Sequence, residues 1–247
     1  MPSIPAIVVL TGAGVSAESG LATFRGAGGL WEGHRVEQVA TPQAFRRDPA
    51  LVHRFYNLRR AQLRDPRIVP NAAHRALARL DALWPGEFLL VTQNVDDLHE
   101  RAGSRRLIHM HGELRRARCL ACGVAHDWAE DLGEATPCPT CARSGGLRPD
   151  IVWFGEMPRH MDEIHAALER CDLFVAIGTS GQVYPAAGFV AAVRAAGAAR
   201  TIEVNLEDSA VSSAFAERML GPAGQLVPAL VEELLAGAAC GTALDRS

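Results

Sequence analysis

The sequence contains no lysine, so all 25 of its basic side chains are arginines. This absence excludes acylation of the chain's own side-chain amines. Aromatic residues are also scarce, at 6% of the chain with only two tyrosines. The formal net charge is −3, and a chain without an excess of positive charge is a poor candidate for a general nucleic-acid binder.

Long apolar runs are missing as well, since none approaches the roughly 18 residues that a membrane-spanning helix needs. The first apolar run, at residues 4–10, has no basic leader, and we expect no secretory signal there. Two C-x-x-C pairs indicate a metal site in a reducing compartment rather than a disulfide framework. We therefore expect a cytoplasmic location.

The 247 residues are 48% hydrophobic and 21% charged, a composition typical of a globular chain with one large domain or one domain plus a module. Apolar periodicity predicts strands at 6–11, 87–92, 107–110, 151–154, 173–178 and 201–205. Helices are predicted at 12–19, 72–83, 96–102, 161–170, 185–196 and 225–235, and more than one helix is predicted within 37–63. Thr41 is the expected N-cap of one of these, with Pro42 as its first helical residue, and Asn71 is the expected N-cap of the helix 72–83. This alternation predicts an α/β fold: a Rossmann-like parallel sheet with helices on both faces.

Two segments interrupt the alternation, and we predict that they meet as a small domain. Residues 31–70 form a helical insertion, and residues 113–148 form a zinc-binding module of the ribbon type. The Rossmann-like NAD-binding domain then consists of residues 1–30, 71–112 and 149–240.

A glycine-rich turn follows the first predicted strand. Gly12, Gly14 and Ala17 fit G-x-G-x-x-A, in which the glycines permit a tight turn and close approach of a pyrophosphate to the backbone. The next helix offers unpaired N–H groups to that anion. A tight turn without a ligand is the alternative, but the preceding strand favours nucleotide binding. Residues 28–31 lack the acidic residue after a second strand that a hydride-transferring dehydrogenase uses.

The cysteine pairs are Cys119 with Cys122 and Cys138 with Cys141, with 15 residues between the pairs. Two such pairs can close a tetrahedron of thiolates around Zn²⁺ and leave no open coordination position, which indicates a structural metal. Buried free thiols are the alternative.

Polar side chains also follow two predicted strands. Gln93, Asn94 and Asp96 come after the strand 87–92, and His109 and His111 lie at the end of the strand 107–110. The carboxyl ends of parallel strands form the ligand crevice of an α/β sheet. A histidine there is a candidate base, although a structural role explains it equally well.

Tyr56 and Arg59 are three positions apart on a predicted helix and therefore share a face. A phenol beside a guanidinium can hold a carboxylate, because arginine can donate hydrogen bonds to both carboxylate oxygens at once. On these residues alone, an arginine-rich surface helix is the better explanation.

Together these motifs resemble those of the sirtuins, the NAD-dependent protein deacylases. The similar segments are Gly12–Ser16, Thr23–Arg25, Gln93–Asp96, His111–Gly112, the four cysteines, Val152–Glu156, Gly178–Ser180 and Val204–Asn205. They occur in the family's order from residue 8 to about residue 235. Tyr56-x-x-Arg59 and Ala40 resemble the class III, desuccinylase-type members. Ala22 departs from the family, because many members have proline there, and this change would leave the cofactor-binding loop more mobile.

The resemblance implies a role for each matching residue. His111 would be the general base, and the four cysteines would hold one structural Zn²⁺. Contacts with NAD are implied for Gly12, Ala13, Gly14, Glu18, Phe24, Arg25, Trp31, Gln93, Asn94, Asp96, Gly178, Thr179, Ser180, Asn205, Leu206, Glu207 and Ala223. Contacts with the acylated substrate are implied for Ala40, Tyr56, Arg59, Val152, Trp153, Phe154, Gly155 and Glu156.

The activity that the resemblance implies is removal of succinyl, malonyl and also acetyl groups from protein lysines. NAD would be consumed as a co-substrate, giving nicotinamide, O-acyl-ADP-ribose and free lysine. The expected partners are acylated protein lysines, with no membrane and no direct nucleic acid. Three alternatives stay open: a plain deacetylase, a protein mono-ADP-ribosyltransferase, and a non-catalytic zinc-containing module that binds NAD or associates with DNA.

Overall fold

The structure is a computed structural model that describes residues 4–22, 30–31, 33–197 and 199–240, with residues 30, 31 and 240 described by their backbone only. Its strands are β1 (Ile7–Thr11), β2 (Leu30–Trp31), β3 (His34–Arg35), β4 (Phe88–Thr92), β5 (Leu107–His109), β6 (Gly112–Cys119), β7 (Ala125–Asp127), β8 (Leu147–Ile151), β9 (Leu173–Ile177), β10 (Arg200–Asn205) and β11 (Glu217–Leu220). Its α-helices are α1 (Gly14–Ala17), α2 (Val36–Val39), α3 (Pro42–Arg47), α4 (Pro49–Leu63), α5 (Ala72–Leu83), α6 (Leu98–Ala102), α7 (Met161–Arg170), α8 (Phe189–Ala196) and α9 (Ala223–Cys240). None of the helices within these ranges is both long enough and apolar enough to cross a membrane.

The main sheet is parallel and has the strand order β11-β10-β9-β1-β4-β5. Successive side chains of β1 pack on opposite faces of the sheet, because side chains alternate along a strand. Ile7 and Val9 pack with α5 and α9 on one face, whereas Val8 and Leu10 pack with α7 and α8 on the other. The predicted α/β sheet with helices on both faces is therefore confirmed.

The strand order reverses beside β1, which lies between β4 and β9. Thr11 at the end of β1 is in register with Thr92 of β4 and with Ile177 of β9. The loops that leave these three strands consequently begin at one level. A reversal of this kind opens a crevice at the carboxyl edge of a parallel sheet, where ligands bind.

The two insertions contact each other. Asn57 of α4 and Leu132 of the cysteine segment hydrogen-bond in both directions, at 2.8 and 2.9 Å. The Nε atom of Arg60 on α4 donates to the carbonyl of Leu114 on β6 over 3.1 Å. The division of the chain into two domains stays a prediction.

Two predicted helix starts are confirmed. Thr41 Oγ1 accepts from the N–H of Ala44 at the start of α3, and Pro42 is the first helical residue. Asn71 begins α5 by accepting from the N–H of Ala73. Both side chains satisfy N–H groups that a first helical turn leaves without partners.

Some predicted elements were wrong or missed. The expected strand 151–154 ends at Ile151, because β8 begins earlier and pairs with β6. The cysteine segment, which shows little periodicity, contains the antiparallel sheet β7-β6-β8. The edge strand β11 was missed because its sequence, ERML, lacks an apolar run. Helix α9 is longer than expected, and α1 is shorter.

Candidate functional site

The glycine turn after β1 lies against the loop after β9. Gly14 N donates to Gly178 O over 2.9 Å, and Gly12 N donates to Ile177 O over 3.0 Å. A Cβ added to Gly12 would lie 2.7 Å from Gly178 O, and one added to Gly14 would lie 2.7 Å from Gly178 Cα. These glycines therefore let two backbone segments meet at the crevice. Ala13 lies between them and precedes α1.

A buried polar network lies behind this turn. Asn94 Nδ2 donates to Gly12 O and to Ser16 Oγ, each over 3.1 Å. Ser16 Oγ in turn donates to Asp96 Oδ2 over 3.0 Å. Burial raises the pKa of Asp96 to about 6, although the hydrogen bonds from Leu98 and Ser16 oppose the shift. Of the predicted nucleotide-site residues, Asn94 and Asp96 are thus held against the glycine turn.

Two histidines that the sequence did not single out extend this network. His74 Nε2 lies 3.4 Å from Ser16 Oγ, and His99 Nε2 lies 3.0 Å from Thr11 Oγ1. Burial lowers the pKa of His74 to about 4 and that of His99 well below its ordinary value. Both rings are therefore neutral near pH 7. A histidine in the first turn of a helix gave no signal in the sequence that could distinguish it from a surface residue.

His111 lies between β5 and β6, and its ring is fixed by the backbone of the loop after β4. His111 Nδ1 is 3.1 Å from the carbonyl oxygen of Gln93. Because a carbonyl only accepts, Nδ1 carries the proton and Nε2 keeps its lone pair. Burial lowers the pKa of His111, and the hydrogen bond to Gln93 opposes this shift only in part. The ring is consequently a neutral base near pH 7.

The loops after β9 and β10 meet on the other side of the crevice. Asn205 Nδ2 donates to Thr179 O over 2.8 Å, and Thr179 is buried. Ser180, Leu206 and Glu207, which were also predicted to contact the adenosine half of NAD, are exposed beside them.

The start of α9 faces α1 at this edge. Glu18 Oε1 accepts from the N–H of Gly224 over 2.8 Å, while Ala223 is buried at the first position of α9. Glu18 thus satisfies an N–H group of the first turn of α9. Its predicted contact with NAD stays a prediction. Phe24, Arg25 and the Trp31 side chain lie outside the described residues.

The predicted acyl-binding pair lies on α4. Tyr56 is fully buried, and its hydroxyl accepts from the indole N–H of Trp153 over 2.9 Å. The Arg59 guanidinium lies 4.0 Å from the centroid of the Phe55 ring and donates to the Phe55 carbonyl. Burial raises the pKa of the Tyr56 hydroxyl, and the charge of Arg59 acts in the opposite direction. Ala40 is buried in the same hydrophobic cluster as Tyr56.

The segment after β8 bonds extensively within the chain. The N–H groups of Val152 and Phe154 donate to His111 O and Ala40 O, over 2.8 and 3.0 Å. The N–H of Trp153 donates to Glu156 Oε2 over 2.8 Å. All three of these N–H groups are therefore already bonded within the chain.

The side chains of this segment divide into inner and outer ones. Trp153 is buried, whereas Phe154 is exposed and Gly155 adopts a φ of +88°. Glu156 forms an ion pair with Arg148, whose guanidinium lies 3.4 Å from the centroid of the Trp153 ring. Trp153 and Glu156, which were predicted to contact the substrate, thus fix the shape of the segment. Nothing in the sequence indicated the role of Arg148.

The four predicted zinc ligands come together at the end of the small sheet. The Sγ atoms of Cys119, Cys122, Cys138 and Cys141 all lie within 4.8 Å of one another. The closest pairs are Cys119 with Cys141 at 3.7 Å and Cys122 with Cys138 at 3.8 Å. Four thiols at these separations fit one tetrahedral Zn²⁺ with all positions occupied by protein. With four protein ligands, such a site has no open position for catalysis.

The fold and the crevice define a Rossmann-like, NAD-binding protein that carries an inserted zinc ribbon. A family model described as the Sir2 family matches residues 12–185, and the chain belongs to this family. It is 62% identical over 229 residues to an NAD-dependent protein deacylase of Bdellovibrio bacteriovorus, covering 93% of this chain and 96% of that protein. An NAD-dependent protein deacylase of Escherichia coli K12 is 58% identical over 238 residues, covering 96% and 85%.

Solved structures give the same result. A mutant of a Sir2 homologue in complex with ADP-ribose superposes with a TM-score of 0.85 at 40% identity, covering 95% of this chain and 93% of that one. A Sir2 homologue in complex with NAD gives 0.84 at 40% identity, with 94% and 90% coverage. A Sir2 protein bound to a myristoylated histone peptide gives 0.73 at 32% identity, with 96% and 93% coverage.

Proposed function

We propose that this chain is an NAD-dependent protein-lysine deacylase that prefers succinyl and malonyl groups and also removes acetyl groups. The deacylase activity is supported by the highly identical relatives that carry this name. The observation that carries the acyl preference is the position of Tyr56 and Arg59 on one turn of α4. Tyr56 lies in the cluster that contains Ala40, and the Arg59 guanidinium packs on Phe55 of that cluster. A carboxylate entering such an apolar pocket needs a charged, hydrogen-bonding partner, and this pair offers one.

The reaction consumes NAD, whose ribose carbon is attacked by the acyl carbonyl oxygen as nicotinamide leaves. A ribose hydroxyl then attacks the carbon of the resulting imidate, and a water molecule adds as the lysine amine leaves, so the products are nicotinamide, O-acyl-ADP-ribose and free lysine. His111 accepts the proton of a ribose hydroxyl at Nε2, because its Nδ1 proton is held by Gln93 O. Asn94 and Asp96 hold the loop that carries this carbonyl, through Gly12 and Ser16.

The remaining predicted residues line the route of the two substrates. Thr179 and Asn205 hold the loops that face the adenosine half of NAD. The acylated lysine reaches the crevice beside residues 152–156, and the substrate partners are acylated proteins. A relative bound to an acylated histone peptide supports this type of partner. Four reduced cysteines that fit a zinc ion support a cytoplasmic location.

One set of assays tests the proposal. The protein is incubated with NAD and matched peptides that carry succinyl-, malonyl- or acetyl-lysine, and nicotinamide release is measured together with the masses of both products. We expect release with all three peptides, fastest with the two acidic acyl groups. A higher kcat/KM for acetyl-peptide identifies a plain deacetylase. Transfer of ADP-ribose to the peptide identifies a transferase, and no release identifies a non-catalytic module.

A further inference from the structure

Three successive backbone carbonyls of the loop after β4 accept hydrogen bonds from one chain segment, residues 109–114. Gln93 O is 3.1 Å from His111 Nδ1, and Asn94 O is 3.1 Å from His109 Nδ1. Val95 O accepts from the N–H of Leu114 over 2.8 Å. The residues from His109 to Leu114 therefore fix the position of the loop on which the tautomer of His111 depends.

His109 differs from His111 in what its second nitrogen faces. His109 Nε2 lies 2.6 Å from Glu100 Oε1 on α6, and the His109 side chain is 9% exposed. Its two nitrogens thus face a carbonyl oxygen and a carboxylate oxygen, neither of which can donate a proton. Both nitrogens are best satisfied when both carry a proton, that is, as an imidazolium. The bridge joins α6 to the loop that immediately precedes this helix.

The charges around His109 favour this form. Burial acts against the imidazolium, but the hydrogen bond and charge of Glu100 outweigh it, and the pKa of His109 is raised above its ordinary value. The charge of Glu113 on β6 acts in the same direction. The positive charge of His109 acts to lower the pKa of Asp96, and it contributes to the lowered pKa of the neutral His99.

We propose that His109 is a positioning residue, whose protonated ring bridges Asn94 O and Glu100 and so holds the loop that keeps His111 a neutral base. The proposal rests on the role of His111 in the proposed function. Two histidines separated by one residue then act in opposite protonation states. His111 must be neutral to accept a proton, whereas His109 must be charged to hold both of its acceptors.

Loss of the His109 proton has a defined structural effect. The remaining proton stays on Nε2, because a carboxylate is a stronger acceptor than an amide carbonyl. The lone pair of Nδ1 then faces the lone pairs of Asn94 O across 3.1 Å. This repulsion loosens the loop, so activity should fall as the pH rises through the pKa of His109. Below that pKa the bridge is intact, and the acid side of the profile reports other groups, among them His111.

The test is the pH profile of kcat/KM for NAD, measured with a succinyl-peptide between about pH 5 and about pH 10. In the unchanged protein we expect an alkaline limb. Glu100→Gln should shift this limb by at least about one pH unit toward acid, since it removes the partner that stabilises the charge. His109→Gln, which cannot titrate, should remove the limb and lower kcat/KM near pH 7 by about tenfold. Glu113→Gln is the matched control, because Glu113 acts on His109 through its charge alone and forms no hydrogen bond with it. Glu113→Gln should therefore shift the alkaline limb less than Glu100→Gln.

A second measurement does not depend on turnover or on the folding of a variant. In protein labelled with ¹⁵N-histidine, the ¹⁵N shifts at pH 7 should show both nitrogens of His109 protonated and Nε2 of His111 unprotonated. A neutral His109 in that spectrum overturns the proposal, and so does an alkaline limb that persists in His109→Gln. If the unchanged protein releases no nicotinamide, the proposed function is wrong, while the ¹⁵N spectrum still decides the protonation state of His109.

Discussion

The indole nitrogen of Trp153 donates a 2.9 Å hydrogen bond to the hydroxyl oxygen of Tyr56. This bond ties the segment after β8 to helix α4. The Trp153 ring is itself fixed on one face by the guanidinium of Arg148, 3.4 Å from the ring centroid. Because the indole N–H can only donate, the Tyr56 oxygen is the acceptor in this bond.

Trp153→Phe should therefore lower the preference for succinyl over acetyl peptide. The variant keeps an aromatic ring but loses the N–H that orients Tyr56, and a neutral hydrogen bond contributes about 1 kcal/mol, or about fivefold in rate. Trp84→Phe is the matched control, since Trp84 is buried and donates to Pro5 O over 2.9 Å away from the crevice. Both variants should lose stability in a thermal melt. An equal change in the kcat/KM ratio for the two variants contradicts an orienting role of Trp153.

The contact between the two glycine loops predicts a strong effect of Gly178→Ala. Gly178 has a φ of +62°, and an added Cβ would lie 2.4 Å from Val15 N. A left-handed conformation alone costs an ordinary residue roughly 1–2 kcal/mol, and the overlap adds to it. We expect the free energy of unfolding to fall by at least about 2 kcal/mol and the KM for NAD to rise.

Gly197→Ala is the control for this glycine, because a Cβ there meets no atom within 4 Å among the described residues. Its effect on the free energy of unfolding in urea should be within about 0.5 kcal/mol. If Gly178→Ala is as mild as this control, the two loops are not as closely packed as the structure has them.

The cysteine cluster should hold about one zinc per chain, which elemental analysis of the purified protein can measure. Cys119→Ala should lose the metal, whereas Cys171→Ala, a buried cysteine whose thiol donates to Leu168 O, should keep it. Loss of zinc should also destabilise the contact with α4, because Leu132 of the module and Asn57 of α4 hydrogen-bond in both directions. Active protein without zinc contradicts the assignment.

His111→Ala should stop the chemistry without unfolding the protein. A general base contributes roughly 10²–10⁴-fold, so kcat should fall by that factor while the melting temperature changes little. His165→Ala, at an exposed position of α7, is the control and should retain full turnover. Near-normal turnover by a folded His111→Ala variant would exclude this residue as the base.

The pH dependence of the unchanged protein follows from the lowered pKa of His111. A base whose pKa lies below the ordinary value of 6.5 is already neutral at pH 7. Activity should therefore be lost only as the pH falls below about 6.5, where the ring becomes protonated. An acid limb of kcat/KM that lies clearly above this pH contradicts the neutral-base geometry.

The parts of the site that depend on local sequence could be predicted. Thr41 and Asn71 start helices as expected, and the spacing of the four cysteines alone indicates the thiol cluster. Contacts between distant segments could not be predicted in this way. No pattern near Gly14 indicates that Gly178, far along the chain, lies against it, and only the strand register brings them together.

The small sheet and the orientation of Trp153 were missed for a related reason. Strand β7 has only three residues, all at least partly exposed, so hydrophobic alternation gives no signal. Trp153 lies in a segment with both buried and exposed side chains, and only the packing of α4 decides that its ring faces Tyr56. Tertiary contacts, rather than local preference, set both features.

The acyl preference gives the sharpest prediction, because it depends on one guanidinium. Succinyl-lysine ends in a carboxylate, and burying this charge is costly unless a partner binds it. Arg59 can bind it through two N–H groups, whereas acetyl-lysine offers no such group. A hydrogen bond to a charged partner contributes about 1.5–3 kcal/mol, which is roughly one to two factors of ten.

Arg59→Met should therefore lower kcat/KM for succinyl-peptide by at least about tenfold and leave acetyl-peptide little changed or improved. Tyr56→Phe should act in the same direction with a smaller effect, since it removes one neutral donor. Arg54→Met, at an exposed position of the same helix, is the matched control and should change neither peptide. Both peptides are measured at saturating NAD, so that effects on cofactor binding do not enter. If Arg59→Met impairs both peptides equally, Arg59 supports the structure of α4 through Phe55, and the chain is a plain deacetylase.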